Sequence, residues 1–207
     1  MKNTPPRKAA RGVCLAVLLA ALVYGLVLPF CWGNNPADTY DTLSILCENH
    51  IPWFWLWALL TGGAFALNSE LLFRKYGASG KLLRVSAAFG LIGLVLTAAT
   101  LNHSVLDWNP KRVLHWIGAV CYAVGFLAAF LFFFLKNART YPRFRPFLAL
   151  VVCIVAGVGA QMLTVGRNGY MEIVPIALLE LTLLILVYTP AVPPAADSEQ
   201  RIADSGP

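Results

Sequence analysis

The sequence predicts an all-α fold, a bundle of six transmembrane helices with both termini in the cytoplasm. Three observations carry that prediction: six apolar stretches of about helical-span length, a scarcity of charge, and a lopsided placement of Lys and Arg. Hydrophobic residues make up 58% of the 207 and charged residues 13%, with a mean hydropathy of +0.68. A soluble domain carries about 25% charge, so the solvent implied here is lipid.

A helix needs roughly 20 mainly apolar residues to cross the hydrocarbon. Segments 12–31, 52–73, 83–102, 113–135, 147–165 and 171–189 meet that length. Lipid offers no partner for an unpaired peptide group, so the segments are helices; they lack the alternation of barrel strands. The chain therefore divides into a basic cytoplasmic arm (1–11), a transmembrane domain (12–189) and a disordered cytoplasmic tail (190–207) that begins Pro-Ala-Val-Pro-Pro and turns polar.

The first segment follows Lys2, Arg7, Lys8 and Arg11, as a secretory signal would. Its apolar core is too long for a signal, and no small-x-small site follows at Pro29-Phe30-Cys31-Trp32, so it reads as a retained helix. The loop at 32–51 holds Asp38, Asp41 and Glu48 and no basic residue, which places it outside. The second segment ends at Asn68, Ser69 and Glu70, and Arg74 four residues on makes an ordinary helix ion pair with Glu70. The third carries Ser86, Gly90, Gly93, Thr97 and Thr100 on one face, and the fourth carries His115, Gly118, Tyr122, Gly125 and Ala129. Small residues at those intervals let two helices approach closely.

Charge sets the orientation. The arm, the second-to-third loop (Arg74, Lys75, Lys81, Arg84), the fourth-to-fifth loop (Lys136, Arg139, Arg143, Arg145) and Arg201 hold thirteen of the sixteen Lys and Arg. Only Lys111, Arg112 and Arg167 are left outside, as the positive-inside rule requires of short loops. The net charge of +6 is thus a topology signal, and nucleic acid is not an expected partner. The expected location is the cell membrane, crossed many times, with membrane lipid as partner and a homo-oligomer as an open option. All six Trp and all three His (His50, His103, His115) fall at the outer boundary, more one-sided than an aromatic belt demands.

Glu180 is the sharpest single residue, midway along Leu178-Leu179-Glu180-Leu181-Thr182. An acidic group there costs a few kcal/mol unless it faces protein or water. At about 1.5 Å per residue, Tyr122 and Thr61 lie at similar depth and Gln161 somewhat shallower, so a hydrogen-bonded clasp is expected. A second cluster gathers outside: His103, Asp107, His115 and Glu172. His103, Asp107 and His115 are residue types that hold zinc, although the spacing matches no metal motif. Cys31 and Cys47 both fall outside, where a disulfide could persist; Cys14, Cys121 and Cys153 lie in separate helices as apolar fillers. Nucleophile motifs, phosphate-cradling glycine loops and an internal repeat are missing, so no cofactor is expected.

Leu106-Asp107, then Leu114-His115-Trp116-Ile117-Gly118-Ala119, and later Gly169-Tyr170-Met171-Glu172-Ile173 resemble an uncharacterised bacterial family of six-helix membrane proteins, distantly similar to Frag/DRAM/Sfk-type membrane proteins. The chain departs from that pattern in lacking an Arg after Glu172. The resemblance implies the six-helix fold and draws attention to Asp107, His115 and Glu172; it implies little about activity, although the eukaryotic relatives are linked to lipid and membrane homeostasis.

The leading expectation is a non-enzymatic membrane protein that binds or senses a lipid or small polar ligand from the outer leaflet. Its pocket would hold Asp107, His115 and Glu172 at the mouth, with Tyr122 and Glu180 deeper. The alternatives are a small proton-coupled transporter using Glu180 and a membrane-embedded metal-dependent hydrolase on His103, Asp107 and His115.

Overall fold

The computed structural model describes residues 8–33, 35–38, 42–78, 80–101 and 109–190. Among these residues seven α-helices follow in order: α1 (Lys8–Val27), α2 (Leu43–Leu46), α3 (Ile51–Lys75), α4 (Lys81–Ala99), α5 (Pro110–Asn137), α6 (Arg145–Thr164) and α7 (Gly169–Tyr188). Among the described residues there is no strand, and all but the one-turn α2 are long and apolar enough to cross a membrane. The chain is a polytopic, multi-pass membrane protein. Its exposed surface says the same: Leu59, Ile92 and Leu163 are 67%, 67% and 89% exposed, which suits hydrocarbon and not water.

Helix boundaries follow local chemistry. α1 starts four residues before the apolar run because Lys8 to Arg11 are good helix formers, and it passes into a 3-10 turn (Leu28–Gly33) where Pro29 lacks an N–H. Asn109 and Asn168 cap α5 and α7 by accepting the N–H of Arg112 (3.0 Å) and Met171 (3.2 Å), which starts both helices earlier than hydropathy alone suggests. Gly77 and Gly166 take positive φ values of 64° and 86° just past the ends of α3 and α6, where the chain must turn back.

Six crossings return the chain to its starting end. There Arg11 donates to the Val187 carbonyl (2.9 Å), and the Lys75 ammonium donates to the carbonyls of Leu186 (2.7 Å), Val187 (3.1 Å) and Thr189. Arg143 reaches the Pro190 carbonyl (3.3 Å). The last carbonyls of α7 have no helical donor, so these cations supply one and meet the negative end of the helix dipole. Glu70 pairs with Arg74 (2.7 Å), as the i,i+4 spacing predicts, and also with Arg84 (3.2 Å).

α4 and α5 form the tightest seam. A Cβ added at Gly118 would lie 2.7 Å from the Thr97 amide nitrogen, and one at Gly90 would lie 2.7 Å from a ring carbon of Phe126. The small-residue faces of the third and fourth segments do meet. At the end shared with the termini, Phe133, Phe134, Phe144, Tyr76 and Tyr141 interlock, with Tyr76–Phe144 centroids 4.8 Å apart and Phe133–Phe144 5.4 Å apart. This cluster, extended by Phe147, ties the start of α6 to α5. Toward its other end α6 is open: Val151 and Ile154 are its buried residues, while Val152, Val155 and Met162 are about half exposed.

Candidate functional site: a polar-mouthed cavity

α6 is clamped at one end and splayed at the other, and a cavity of about 720 Å³ lies between it and the rest of the bundle. That volume is within the range of sites for small organic ligands. On α5 the lining runs from Arg112 to Leu127, roughly 22 Å at 1.5 Å per residue. The walls are apolar: Phe54 and Phe65 of α3, Leu94 of α4, Phe126 of α5, Ile154 of α6 and Leu179 of α7. Val120 of α5 and Val155 and Met162 of α6 line the cavity and are also 49–56% exposed, so its side opens between α5 and α6 toward lipid.

Most of the polar lining gathers at the Trp-bearing end, where Thr42, Ser44, Thr97, Arg112, His115, Arg167 and Glu172 converge, and Tyr122 lies deeper in the wall. Local geometry holds Glu172, His115 and Arg167 in place. Glu172 Oε2 accepts the Leu43 N–H (2.8 Å), which pins α2 across α7. His115 Nδ1 donates to the Thr97 carbonyl (2.8 Å), and because a carbonyl only accepts, this contact fixes the tautomer. Arg167 stacks on the Trp116 ring with its guanidinium carbon 3.9 Å from the centroid. Gln161 donates to Asn168 (2.6 Å) and so fixes the α6–α7 turn that carries Arg167. Pro175, also in the lining, has no N–H for the Met171 carbonyl one turn above.

Of the residues predicted for the site, His115, Tyr122 and Glu172 line this one cavity. Asp107 and His103 lie outside the described residues. Among the described residues no three His, Cys, Asp or Glu side chains gather as a metal site would. Glu180 is placed differently from the expectation: it does not line the cavity but borders a separate niche of about 10 Å³, with Leu22 and Gly25 of α1 and Trp57 of α3. Trp57 and Ile176 belong to the walls of both.

The expected clasp on Glu180 is not formed. Glu180 Oε1, Tyr122 OH and Thr61 Oγ1 are buried and have no hydrogen-bond partner among the described residues. The reason is geometric: Gln161 turns to Asn168, and Tyr122 packs edge-on to Trp57 with centroids 6.4 Å apart. Glu180 is nonetheless near enough to act electrostatically on the Tyr122 hydroxyl.

Cys31 and Cys47, the candidate disulfide pair, are both free thiols here and lie close enough to influence each other's charge. Burial, then the nearness of Cys31 and Glu172, pushes the Cys47 thiol up to about 12. Cys47 should therefore resist a water-soluble alkylating reagent at pH 7–9 in the folded protein and react once the chain is unfolded, as read by mass spectrometry. The sign follows: the folded state holds this proton more tightly than the unfolded one, so stability declines as pH rises from about 9 toward 12.

Sequence reasoning missed the contributions of α3 and α6 to the walls and the placement of Arg112 and Arg167 in the lining. A signal for the two arginines was present, since they are among the few basic residues left on the wrong side of the charge bias. No protein-family model, no curated protein and no solved structure matches the chain.

Proposed function

We propose that this protein binds an amphipathic lipid-type ligand, taken laterally from the leaflet at the Trp-bearing end. That end faces away from the cytoplasm, both termini are cytoplasmic, and the membrane is the cell membrane. The observation that supports the reading best is the cavity itself, mostly apolar along its length, most polar at one end, and open to lipid between α5 and α6. Association of helices in lipid normally closes such space by packing, because nothing else fills it favourably. The resemblance at 106–107, 114–119 and 169–173 to proteins linked to lipid homeostasis leans the same way.

The test is occupancy. Native mass spectrometry of detergent-purified protein should show co-bound lipid. Ala123→Trp places a large ring in the lining of the portal and should cut lipid retention about tenfold or more, a change of about 1.4 kcal/mol. Ile92→Trp, on the lipid face of α4, should leave retention unchanged. Equal lipid in all three proteins would refute the proposal.

A further inference from the structure

We infer that the ligand's head group is an uncharged one bearing hydroxyls, and that His115 Nε2 accepts a hydrogen bond from it at the polar end of the cavity. This deepens the lipid-binding reading and rests on it.

The tautomer decides what His115 can recognise. Nδ1 donates to the Thr97 carbonyl on α4, so the neutral ring keeps a lone pair on Nε2 and can only accept there. Nε2 has no hydrogen-bond partner among the described residues. It is not sealed away either, because the buried side-chain atoms without partners are those of Thr61, Tyr76, Tyr122 and Glu180. His115 lines the cavity, so this lone pair is offered to whatever fills it. Gly118, three residues on, packs against the same Thr97 and gives the ring a rigid footing.

The rest of the polar lining asks for the same chemistry. Glu172 Oε2 accepts the Leu43 N–H, and in the ionised form Oε1 is a further acceptor. Pro175 withholds the i+4 donor from the Met171 carbonyl, and Met171, Glu172 and Pro175 all belong to the lining. On the α2 side the Thr42 and Ser44 hydroxyls lie 3.0 Å apart. Two hydroxyls carry two protons and their contact uses one, so one proton is left to give. Arg112 and Arg167 are already engaged within the protein, Arg167 with the Trp116 ring and the Glu172 charge, and they do not enter this count. A carboxylate brings no proton to the acceptors, and an ammonium brings no lone pair to the Thr42–Ser44 pair. A hydroxyl both donates and accepts, so it satisfies both. A site built to bond a hydroxyl rejects an analogue without one, because its own polar groups are then left unpaired.

The test uses detergent-purified full-length protein at about pH 8, where imidazole is ordinarily neutral. Binding is read by tryptophan fluorescence, since Trp57 and Trp116 line the cavity. The probes are 1-oleoylglycerol, methyl oleate (the same chain and ester without hydroxyls), oleate, oleylamine and free glycerol. The oleoylglycerol should bind at least about tenfold more tightly than methyl oleate, oleate or oleylamine, and glycerol alone should not bind. His115→Asn keeps an amide N–H for the Thr97 carbonyl and removes the Nε2 acceptor. It should bring 1-oleoylglycerol down to the methyl oleate level while methyl oleate binds as before, which also shows that the variant is folded. The ranking in the parent protein decides the hydroxyl preference without any variant. Methyl oleate, oleate or oleylamine binding as tightly as 1-oleoylglycerol would overturn the inference and leave lipid binding intact. A preference that survives His115→Asn would overturn the assignment to His115. Glycerol competing as well as its oleoyl ester would keep the hydroxyl and sink the lipid-binding reading, as would failure of every oleyl probe to bind.

Discussion

Alanine at Gly93 or Gly125 is expected to unseat α4 from α5 and to lower stability by about 1–3 kcal/mol or more, although alanine is the better helix former. The added methyl at Gly93 would lie 2.7 Å from the Gly118 carbonyl oxygen and would also collide with the Tyr122 amide nitrogen. At Gly125 it would lie 2.8 Å from the Ser86 carbonyl oxygen and against the Gly90 backbone. Those neighbours are main chain on a facing helix, so no rotamer change relieves the overlap and the two helices must move apart. Gly157 and Gly159 on α6 are the controls, because a Cβ there meets nothing within 4 Å. Alanine at those positions should be neutral or stabilise by up to about 1 kcal/mol. Thermal unfolding in detergent, followed by size-exclusion, separates the cases. Equal behaviour of the seam variants and the α6 variants would show that the seam is not closed as described.

Replacing Glu180 with Met should stabilise the protein by about 1–3 kcal/mol, the usual cost of a buried polar group without a partner. Glu180 is 1% exposed, and Oε1 finds no donor among the described residues. Methionine fills similar volume with apolar atoms, so the desolvation cost disappears and little packing is lost. Gln, which keeps an unpartnered polar end, should give no such gain. A raised unfolding midpoint for Met alone would mean that the carboxyl is not kept for stability, and would favour a proton- or ligand-binding role. Proton-coupled uptake into liposomes, compared between the parent and Glu180→Gln, then reads that role directly. A fall in stability with Met would instead reveal a partner for the carboxyl.

The spans were legible because hydrocarbon imposes a length and excludes charge, and both constraints are local to each segment. The α4–α5 seam was legible for a similar reason: Gly90, Gly93, Gly118 and Gly125 recur at helical spacing, and only close approach gives such a pattern a use. Glu70–Arg74 followed from i,i+4 geometry. The cavity was only half legible. His115, Tyr122 and Glu172 stand out as polar groups at readable depths, but Phe54, Phe65 and Val155 look like any other lipid-phase residues.

Sequence by itself determined the number of crossings, the asymmetry of charge, the concentration of Trp and His at one end, and the two small-residue helix faces fit for close packing. Tertiary structure alone decided that α6 is clamped by aromatic rings at one end and splayed at the other. It also decided that Arg112 and Arg167 share a mouth, and that Glu180 stands apart from the cavity without its expected partners. The physical reason is that lipid acts on each segment independently, through length and polarity. Which helix face meets which neighbour depends instead on side chains far apart in the chain, and apolar residues read alike whether they face lipid, a neighbour or an empty space.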